Sequence, residues 1–205
     1  MSEHDWEPVR GLPGKLPAGE HMLWQGSPDW RALARAVCHV RAVGLYFGLL
    51  AVFALVSGSP GAAAATVASG LVCLGLLALF AWGTARTTIY TLTNRRIVLR
   101  VGMALPKCVN LPLSLIESAD IRALGHGRGD IALTMQPGKR LGYLFLWPHA
   151  RPWQLTAPQP MLRALSDAED VAETLARACA AVGQIARPVA VATPAQGPTP
   201  IGVAA

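Results

Sequence analysis

Residues Ala42 to Thr84 read AVGLYFGLLAVFALVSGSPGAAAATVASGLVCLGLLALFAWGT, and this stretch decides the fold class. It contains 43 residues without any Asp, Glu, Lys, Arg, His, Asn or Gln, and the loop Ser57 to Gly61 divides it in two. A helix that crosses a hydrocarbon core of ~30 Å takes about 20 apolar residues. The second half, Ala62 to Thr84, has 23 residues, whereas the first half needs Val37 and Val40 upstream to reach that length. The stretch therefore predicts a hairpin of two transmembrane helices.

The composition of the whole chain agrees with a membrane segment. Hydrophobic residues make up 52% of the 205 residues and charged residues 15%, against about 25% charged residues in an average soluble domain. The alternative interpretation is a pair of helices buried in a soluble core, but the rest of the chain is too small to surround them. We therefore expect an α+β membrane protein.

Basic residues flank the predicted hairpin on both sides and are absent from its connecting loop. An excess of Lys and Arg marks the cytoplasmic side of a membrane helix, where these residues also meet anionic headgroups. We therefore expect a multi-pass membrane protein with both termini in the cytoplasm. The N-terminal residues lack a basic region followed by an apolar one, so we expect a permanent anchor and no cleaved signal. The predicted membrane-surface residues are Arg31, Arg35, Arg41, Arg86, Arg95 and Arg96.

Changes in composition divide the chain into four parts. Residues 1–29 are polar and rich in Pro and Gly, so we expect an irregular lead-in. Residues 30–84 hold an amphipathic first helix over Trp30 to Arg41, which continues into the first span, and then the hairpin. Residues 86–182 form a cytoplasmic domain, and residues 183–205 are a Pro-, Ala- and Gly-rich tail for which we expect no packed structure. The four cysteines match no metal-ligand spacing, and we expect them to be reduced.

Downstream of Arg86 the hydrophobic period changes from helical to alternating. Turn residues separate four runs that alternate as half-buried strands do, at 88–92, 96–101, 130–135 and 141–147. The glycine-rich run Gly125 to Gly129 precedes a strand, which favours a hairpin turn over a phosphate-binding loop. Ser166 and Glu169 form a predicted capping box for a helix, whose apolar face is Val171, Leu175, Ala178, Cys179 and Val182. The pattern predicts an antiparallel sheet or barrel closed by a C-terminal helix.

Patterns for catalysis and cofactor binding are missing from the sequence. Residues 86–151 contain ten Lys or Arg but three acidic residues, too few for acid and base catalysis. The histidine nearest a predicted span, His39, lies at its entrance, so we expect no bound pigment, metal or other cofactor. Basic strands without interleaved aromatic residues argue against nucleic acid. We expect a protein that is not an enzyme and whose basic face either meets membrane lipids or is simply solvated.

The segment Trp147 to Trp153, WPHARPW, is the strongest candidate for a partner-binding surface. Its two prolines disfavour a helix or a central strand, and Trp and Arg are enriched at binding hot spots. We assign partner binding to Trp147, His149, Arg151 and Trp153. The alternative interpretation is that Trp147 caps the core of the domain and that Trp153 packs under the closing helix.

Small residues repeat at four-residue spacing in the second predicted span. Ala62, Thr66 and Gly70 form a smooth strip, and such strips let helix backbones approach closely. We expect this strip to pack on a second copy of the chain, as a homodimer, or on the helix of a partner.

Several of these residues resemble the bacterial pleckstrin-homology (PH) membrane proteins. The resemblance rests on three stretches: YTLTNRRI at 90–97, GRGDI at 127–131, and the lead-in with Gly19-Glu20 followed by LWQGSP at 23–28. It implies a transmembrane hairpin followed by a PH-like antiparallel β-barrel of seven strands, closed by a C-terminal helix.

A narrower resemblance is to the photosynthetic-complex assembly proteins of purple bacteria, the PuhB type. It is carried by EPVRGLPGKLPAGE at 7–20, YLFLWPHARPW at 143–153 and PMLRAL at 160–165. This resemblance implies a non-enzymatic factor of the bacterial inner (intracytoplasmic) membrane that assembles the photosynthetic reaction centre and light-harvesting complex by binding their subunits. Two alternatives stay open: a permanent accessory subunit of the mature complex, and a PH-like domain that senses anionic lipid.

Overall fold

The computed structural model describes residues 11–12, 14–103, 107–125, 127–136 and 142–183, apart from the side chains of Leu144 and Phe145. Residues 1–10 of the lead-in, Leu141 of the fourth predicted strand, and the predicted tail beyond Gly183 lie outside the described residues. The elements follow in the order β1 (Met22–Gly26), α1 (Trp30–Ala36), α2 (Val40–Val56), α3 (Pro60–Thr87), β2 (Ile89–Thr93), β3 (Arg96–Val101), β4 (Lys107–Pro112), β5 (Ile116–Gly125), β6 (Arg128–Met135), α4 (Tyr143–Leu146), β7 (Met161–Leu165) and α5 (Ala168–Ala181).

The first two helices are separate. α1 ends at Ala36, and α2 begins at Val40 after His39, whose φ of 49° places it in the left-handed region. The two helices meet at a bend of 58°. The expectation of one continuous helix from Trp30 into the first span is therefore wrong, because a left-handed residue ends the helical hydrogen-bond ladder. α2 alone has 17 residues, or about 25 Å of helix.

α3 is 28 residues long, which corresponds to about 42 Å of helix. Within the described ranges it is the one helix that is long and apolar enough to cross a membrane by itself, and α1 with α2 meets the same criteria only as a bent pair. α2 and α3 pack against each other, and their buried residues include Ala51, Ala63 and Gly70. Large apolar side chains such as Phe53 and Leu71 remain exposed. Much of the apolar surface of these helices therefore has no protein cover in the described structure.

The strands form two antiparallel sheets. β1 to β4 pair in sequence order in one sheet, and β5, β6 and β7 pair in the other. The chain passes between the sheets at Pro112 and a 3-10 turn, Leu113–Leu115. The expected closed barrel is wrong, since no ladder joins the two sheets within the part of the chain that the structure describes. Proline has no N–H to donate, and a 3-10 turn leaves the extended conformation, so the ladder is interrupted at this corner.

Three of the four predicted strand runs are confirmed, because β2, β3 and β6 occupy them. The fourth run, 141–147, is wrong: Tyr143–Leu146 form the short helix α4, which brings Leu146 into the core. The antiparallel pairing of β5 with β6 confirms that the glycine-rich run is a hairpin turn. The strand β1 corrects the expectation of a wholly irregular lead-in, since its residues pair with β2.

The two sheets and α5 enclose one hydrophobic core, and we call this part of the protein the sheet domain. Its fully buried side chains include Leu99, Ile131, Leu133, Leu165 and Leu175. α5 packs on β5 and β6. The predicted apolar face of α5 is buried at four of its positions, whereas the fifth, Val182, is 40% exposed. Burial of this face closes the sheet domain on one side.

The start of α5 differs from the predicted capping box. The helix begins at Ala168, and the residue before it is Asp167 rather than Ser166. The Asp167 carboxylate accepts a hydrogen bond from Trp24 Nε1 at 2.8 Å and makes no capping bond to the helix backbone. A contact between β1 and α5, distant in sequence, therefore replaces the local cap that the pattern indicated.

A partly buried ion pair ties the lead-in to the turn between β2 and β3. The Glu20 carboxylate accepts hydrogen bonds from Arg96 Nε at 2.8 Å, Arg96 Nη2 at 3.1 Å and Thr93 Oγ1 at 2.9 Å. Asn94 Nδ2 donates to the carbonyl of Gly19 at 3.0 Å. The residues of the Thr-Asn-Arg-Arg motif therefore hold the chain just before β1, which explains on structural grounds why they accompany a Gly-Glu pair.

Candidate partner-binding surface

The predicted partner-binding segment lies in the loop between α4 and β7. Trp147 is 52% exposed and is joined to Pro148 by a cis peptide bond, and Trp153 is 93% exposed. Neither ring belongs to the described core, which removes the interpretation that Trp147 caps it and Trp153 packs under the closing helix. Trp153 has a φ of 66°, and a left-handed conformation costs a residue with a side chain on the order of 1 kcal/mol. The loop thus holds two aromatic rings outside the core.

His149 lies inside the sheet domain, which corrects its assignment to the partner surface. Its side chain has no solvent exposure. Nδ1 lies 2.7 Å from Tyr90 Oη and Nε2 lies 3.2 Å from Thr88 Oγ1. Burial, together with the nearby positive charge of Arg163, lowers the pKa of His149 to about 3. A neutral histidine in these contacts supports the loop from within and is not available to a partner.

The hydrogen bonds around His149 form a directional chain. The backbone N–H of Arg163 donates to Tyr90 Oη at 3.2 Å, so the tyrosine hydroxyl directs its own hydrogen to His149 Nδ1. The other ring nitrogen then carries the proton and donates to Thr88 Oγ1. Burial raises the pKa of Tyr90, which keeps its hydroxyl protonated. This chain links the loop to β2 and β7 without a net charge on either ring.

A bulge in β7 completes the buried polar group. Gly129 pairs with Leu165 and Ile131 with Leu162, so two residues of β7 oppose the single residue Asp130 of β6. Ala164 has a φ of 53°, and its N–H donates to Asp130 Oδ1 at 2.8 Å. A bulge leaves backbone groups outside the ladder, and the Asp130 carboxylate satisfies one of them. Burial raises the pKa of Asp130, while the hydrogen bond from the Ala164 N–H and the nearby arginines act in the opposite direction.

The same bulge receives the first helix. The N–H of Asp29, the residue that caps α1, donates to the carbonyl of Ala164 at 2.8 Å. Leu33 of α1 is 1% exposed and packs on Ala164. Arg128 Nε lies 2.8 Å from Asp29 Oδ2 and adds an ion pair to this contact. The buried polar group therefore holds two parts of the chain in place: the loop between α4 and β7, which we call the partner loop, and α1, the helix that leads into α2.

Arg151 anchors the loop to the second sheet. Its Nη1 lies 3.2 Å from Asp120 Oδ2 and 3.0 Å from Gln159 Oε1. The backbone N–H of Arg151 also donates to the carbonyl of Gln159 at 2.9 Å. Arg151 is half-exposed, so its guanidinium is engaged within the protein and only partly open to a partner.

An apolar groove with a volume of about 1000 Å³ lies beside Trp147. The Trp147 ring packs on Phe80 of α3, with centroids 5.5 Å apart. The residues that line the groove include Val37, Ala68, Val72, Leu76, Phe80 and Trp147. The partner loop of the sheet domain therefore touches the apolar face of α3, which the sequence did not indicate.

The predicted membrane-surface arginines fall into two groups. Arg31, Arg41, Arg86 and Arg95 are exposed and have no acidic partner in the described ranges. Arg35 is also exposed, and its Nε donates to the carbonyl of Arg31 at 3.1 Å. Arg96 differs, because its guanidinium is bound by Glu20 as described above. The assignment of Arg96 to the membrane surface stays a prediction, with its partly exposed guanidinium already paired with Glu20.

The predicted helix-packing residues do not share one environment. Ala62 is exposed and Thr66 is half-buried, whereas Gly70 is buried. A Cβ placed on Gly70 would lie 2.9 Å from Cβ and Cγ of Phe47. Gly70 therefore packs on α2 of its own chain, while contact of Ala62 and Thr66 with a second copy or a partner stays a prediction.

The described residues contain no group of three His, Cys, Asp or Glu that is arranged to hold a metal ion. Tyr90, His149 and Asp130 are each fully buried, so their role is to hold the loop and α1 rather than to meet a substrate. Tyr90 and Asp130 belong to the two motifs that carry the family resemblance. Their place in these motifs is the signal in the sequence that marks the two residues as important. No pattern in the sequence indicated the hydrogen-bond network between them.

Comparison with known proteins identifies the family. Residues 45–178 match the family model described as "Bacterial PH domain". A protein of Rhodobacter capsulatus named "Uncharacterized 23.7 kDa protein in puhA 5'region" is 39% identical over 209 residues, which cover 96% of this chain and 97% of that protein. No solved structure matches the chain. The family match begins within α2 and ends within α5, and the chain therefore belongs to the bacterial PH domain family.

Proposed function

We propose that this protein is a non-enzymatic, membrane-anchored assembly factor for the photosynthetic reaction centre and light-harvesting complex, of the PuhB type. One observation carries the proposal: the exposed Trp147 and Trp153 belong to one loop, and Trp147 also lines the apolar groove on α3. A subunit bound there meets the sheet domain and the helices at once. The relative in Rhodobacter capsulatus is named for the 5' region of puhA, a reaction-centre gene region, which supports this choice of partner.

In this proposal α2 and α3 cross the inner membrane as a hairpin, while α1 stays docked on the sheet domain. The exposed apolar side chains of both helices then face lipid, which is a more favourable environment than water for a segment of this composition. Exposed arginines at 31 and 35 lie in α1 and the one at 41 lies at the start of α2, while those at 86 and 95 lie at the end of α3 and after it. The excess of basic residues at these ends favours a cytoplasmic location for both termini and for the sheet domain.

A binding role fits the residues better than catalysis. The PH domain family is generally non-catalytic. Tyr90, His149 and Asp130 are buried, and their hydrogen bonds hold the loop and the bulge of β7 in place. A scaffold that holds a loop in this way is typical of a recognition surface, because a preorganised loop loses less entropy on binding.

Trp153 is the residue expected to contribute most to partner binding. It is almost fully exposed, its backbone is in an unfavourable conformation, and Arg151 ties the adjacent chain to Asp120. Truncation of a Trp at a hot spot costs on the order of 2 kcal/mol or more, which corresponds to a loss of affinity of roughly 30-fold. Truncation of an exposed side chain that makes no contact changes the folding free energy by less than about 0.5 kcal/mol.

The test compares the abundance of the protein with the yield of reaction centre in a photosynthetic host that lacks its own copy of this gene. The host receives wild type, Trp153→Ala, Trp153→Phe, or Val182→Ala, which truncates an exposed apolar side chain at the end of α5. We expect Trp153→Ala to reach normal abundance in membranes but to lower the absorbance of the reaction centre. Trp153→Phe keeps an aromatic ring and should retain most of the yield, and Val182→Ala should match wild type.

Two outcomes would contradict the proposal. A normal reaction-centre yield in Trp153→Ala would remove the loop as the binding surface, and loss of yield only in step with loss of the protein itself would indicate a folding defect.

Stoichiometry separates a transient factor from a permanent accessory subunit. Purified complexes retain a permanent subunit at a fixed ratio and contain none of a transient factor.

A further inference from the structure

A second cleft, with a volume of about 450 Å³, lies where the helices meet the first sheet. One wall is the C-terminal end of α3, and the opposite wall is the connection from β1 to α1. Its lining includes Pro28, Trp30, Trp82, Arg86 and Thr88. The partner loop does not contribute to this cleft, so it is a separate feature of the described structure.

Two arginines stack on the two tryptophans of the cleft. Arg86 Cζ lies 5.0 Å from the centroid of the Trp82 ring, and Arg31 Cζ lies 5.4 Å from that of the Trp30 ring. The rings are 44% and 38% exposed, respectively. Stacking on a ring face leaves the N–H groups at the edge of a guanidinium free to donate. Arg86 lines the cleft, and Arg31, which lies outside the lining, is held beside Trp30, so positive charge that is open to an anion is held at the cleft.

Acidic residues do not neutralise these two charges. The ion pairs in the described ranges engage Arg96, Arg128 and Arg151, and none engages Arg31 or Arg86. An unneutralised pair of arginines beside aromatic rings has the chemistry of a phosphate site, because guanidinium N–H groups match phosphate oxygens.

The position of the cleft along α3 indicates which phosphate it meets. Arg86 is the last but one residue of α3, and α1, which begins at Trp30, packs against α3. Trp and Arg are the residues that settle at the headgroup level of a membrane helix. If α3 spans the bilayer as proposed above, this cleft lies among lipid headgroups rather than in bulk water.

We propose that the cleft binds one anionic phospholipid through its phosphate group, with Arg31 and Arg86 as donors and the rings of Trp30 and Trp82 beside the glycerol region. The inference rests on the proposed membrane location of α3 but not on the role in assembly. A bound lipid would fix α1 against α3 and so set the height of the sheet domain above the membrane. Arg41 and Arg95 are exposed and stack on neither tryptophan of the cleft, so they contribute only general attraction to the membrane surface.

The test measures lipid retained by the purified full-length protein in a mild detergent, by native mass spectrometry, after addition of phosphatidylglycerol. We expect wild type to retain one phosphatidylglycerol and not to bind phosphatidylcholine. It should also retain its phosphatidylglycerol when inorganic phosphate is added in excess. The double variant Arg31→Gln with Arg86→Gln should lose affinity by at least about tenfold, since two charge-assisted contacts are removed. The double variant Arg41→Gln with Arg95→Gln has the same net charge and should behave as wild type.

Equal losses in the two double variants would overturn the site, because they would show diffuse attraction to the surface. Unchanged lipid retention in both double variants would overturn the site as well. Displacement of the lipid by inorganic phosphate would show that the cleft binds a soluble anion instead of a lipid. Thermal unfolding of each variant in the same detergent separates a binding defect from a folding defect. Because this assay uses purified protein and the assembly test uses reaction-centre yield in cells, either proposal can fail without the other.

Discussion

Acidification below about pH 6.5 should destabilise this protein through His149. The side chain is fully buried and its pKa is lowered to about 3, whereas an unfolded histidine titrates near 6.5. Between these two values the unfolded chain binds more protons than the folded chain, so the stability that His149 contributes is present above pH 6.5 and is lost as the pH falls. Each pH unit in this window corresponds to ~1.4 kcal/mol. The expected loss at about pH 5 is therefore about 2 kcal/mol.

Asp130 acts in the opposite direction. Its pKa is raised by burial, so its folded form takes up a proton more readily than its unfolded form, and this favours the folded state as the pH falls. The pH dependence of wild type alone would mix the two residues. A variant without the titrating ring is needed, and His149→Gln is suitable because its amide can accept from Tyr90 and donate to Thr88.

The measurement is the melting temperature of the full-length protein in detergent, followed by circular dichroism at about pH 8, 6.5 and 5 for wild type and His149→Gln. In a chain of this size ~1 kcal/mol shifts the melting temperature by about 2–4 °C. Wild type should therefore lose about 4–8 °C more than His149→Gln between pH 8 and 5. Parallel curves for the two proteins would refute the assignment of a buried, neutral histidine.

Two further predictions concern helix packing and the ion pair of Glu20 with Arg96. Gly70→Leu should destabilise the contact between α2 and α3 by about 1–3 kcal/mol, because the leucine side chain enters space occupied by α2. Gly75→Leu on the same helix should have no such effect, because a Cβ there meets nothing within 4 Å. Protease resistance of the two variants in detergent measures the difference. Glu20→Gln should cost about 1.5–3 kcal/mol, because the Arg96 guanidinium loses its charged acceptor, and thermal unfolding measures it; an unchanged melting temperature would show that the pair contributes nothing.

The sequence by itself determined the helical part and much of the first sheet. A run of 43 residues without a charge or an amide has few solutions other than long apolar helices, and α2 and α3 lie within or beside it. Alternating runs located β2, β3 and β6, and a glycine-rich turn located the hairpin of β5 and β6. These features are local, so the information for each lies within a few residues of chain.

The tertiary structure alone decided which members of the predicted sites face outward. His149 is buried because the fold places Tyr90, 59 positions earlier, against its ring, and the Arg96 guanidinium is paired because the fold brings Glu20, 76 positions away, next to it. The cleft of Trp30 and Trp82 exists because the start of α1 folds back on the end of α3. Burial and pairing depend on which distant segments meet, and a one-dimensional pattern contains the types of the residues but not the distances between them.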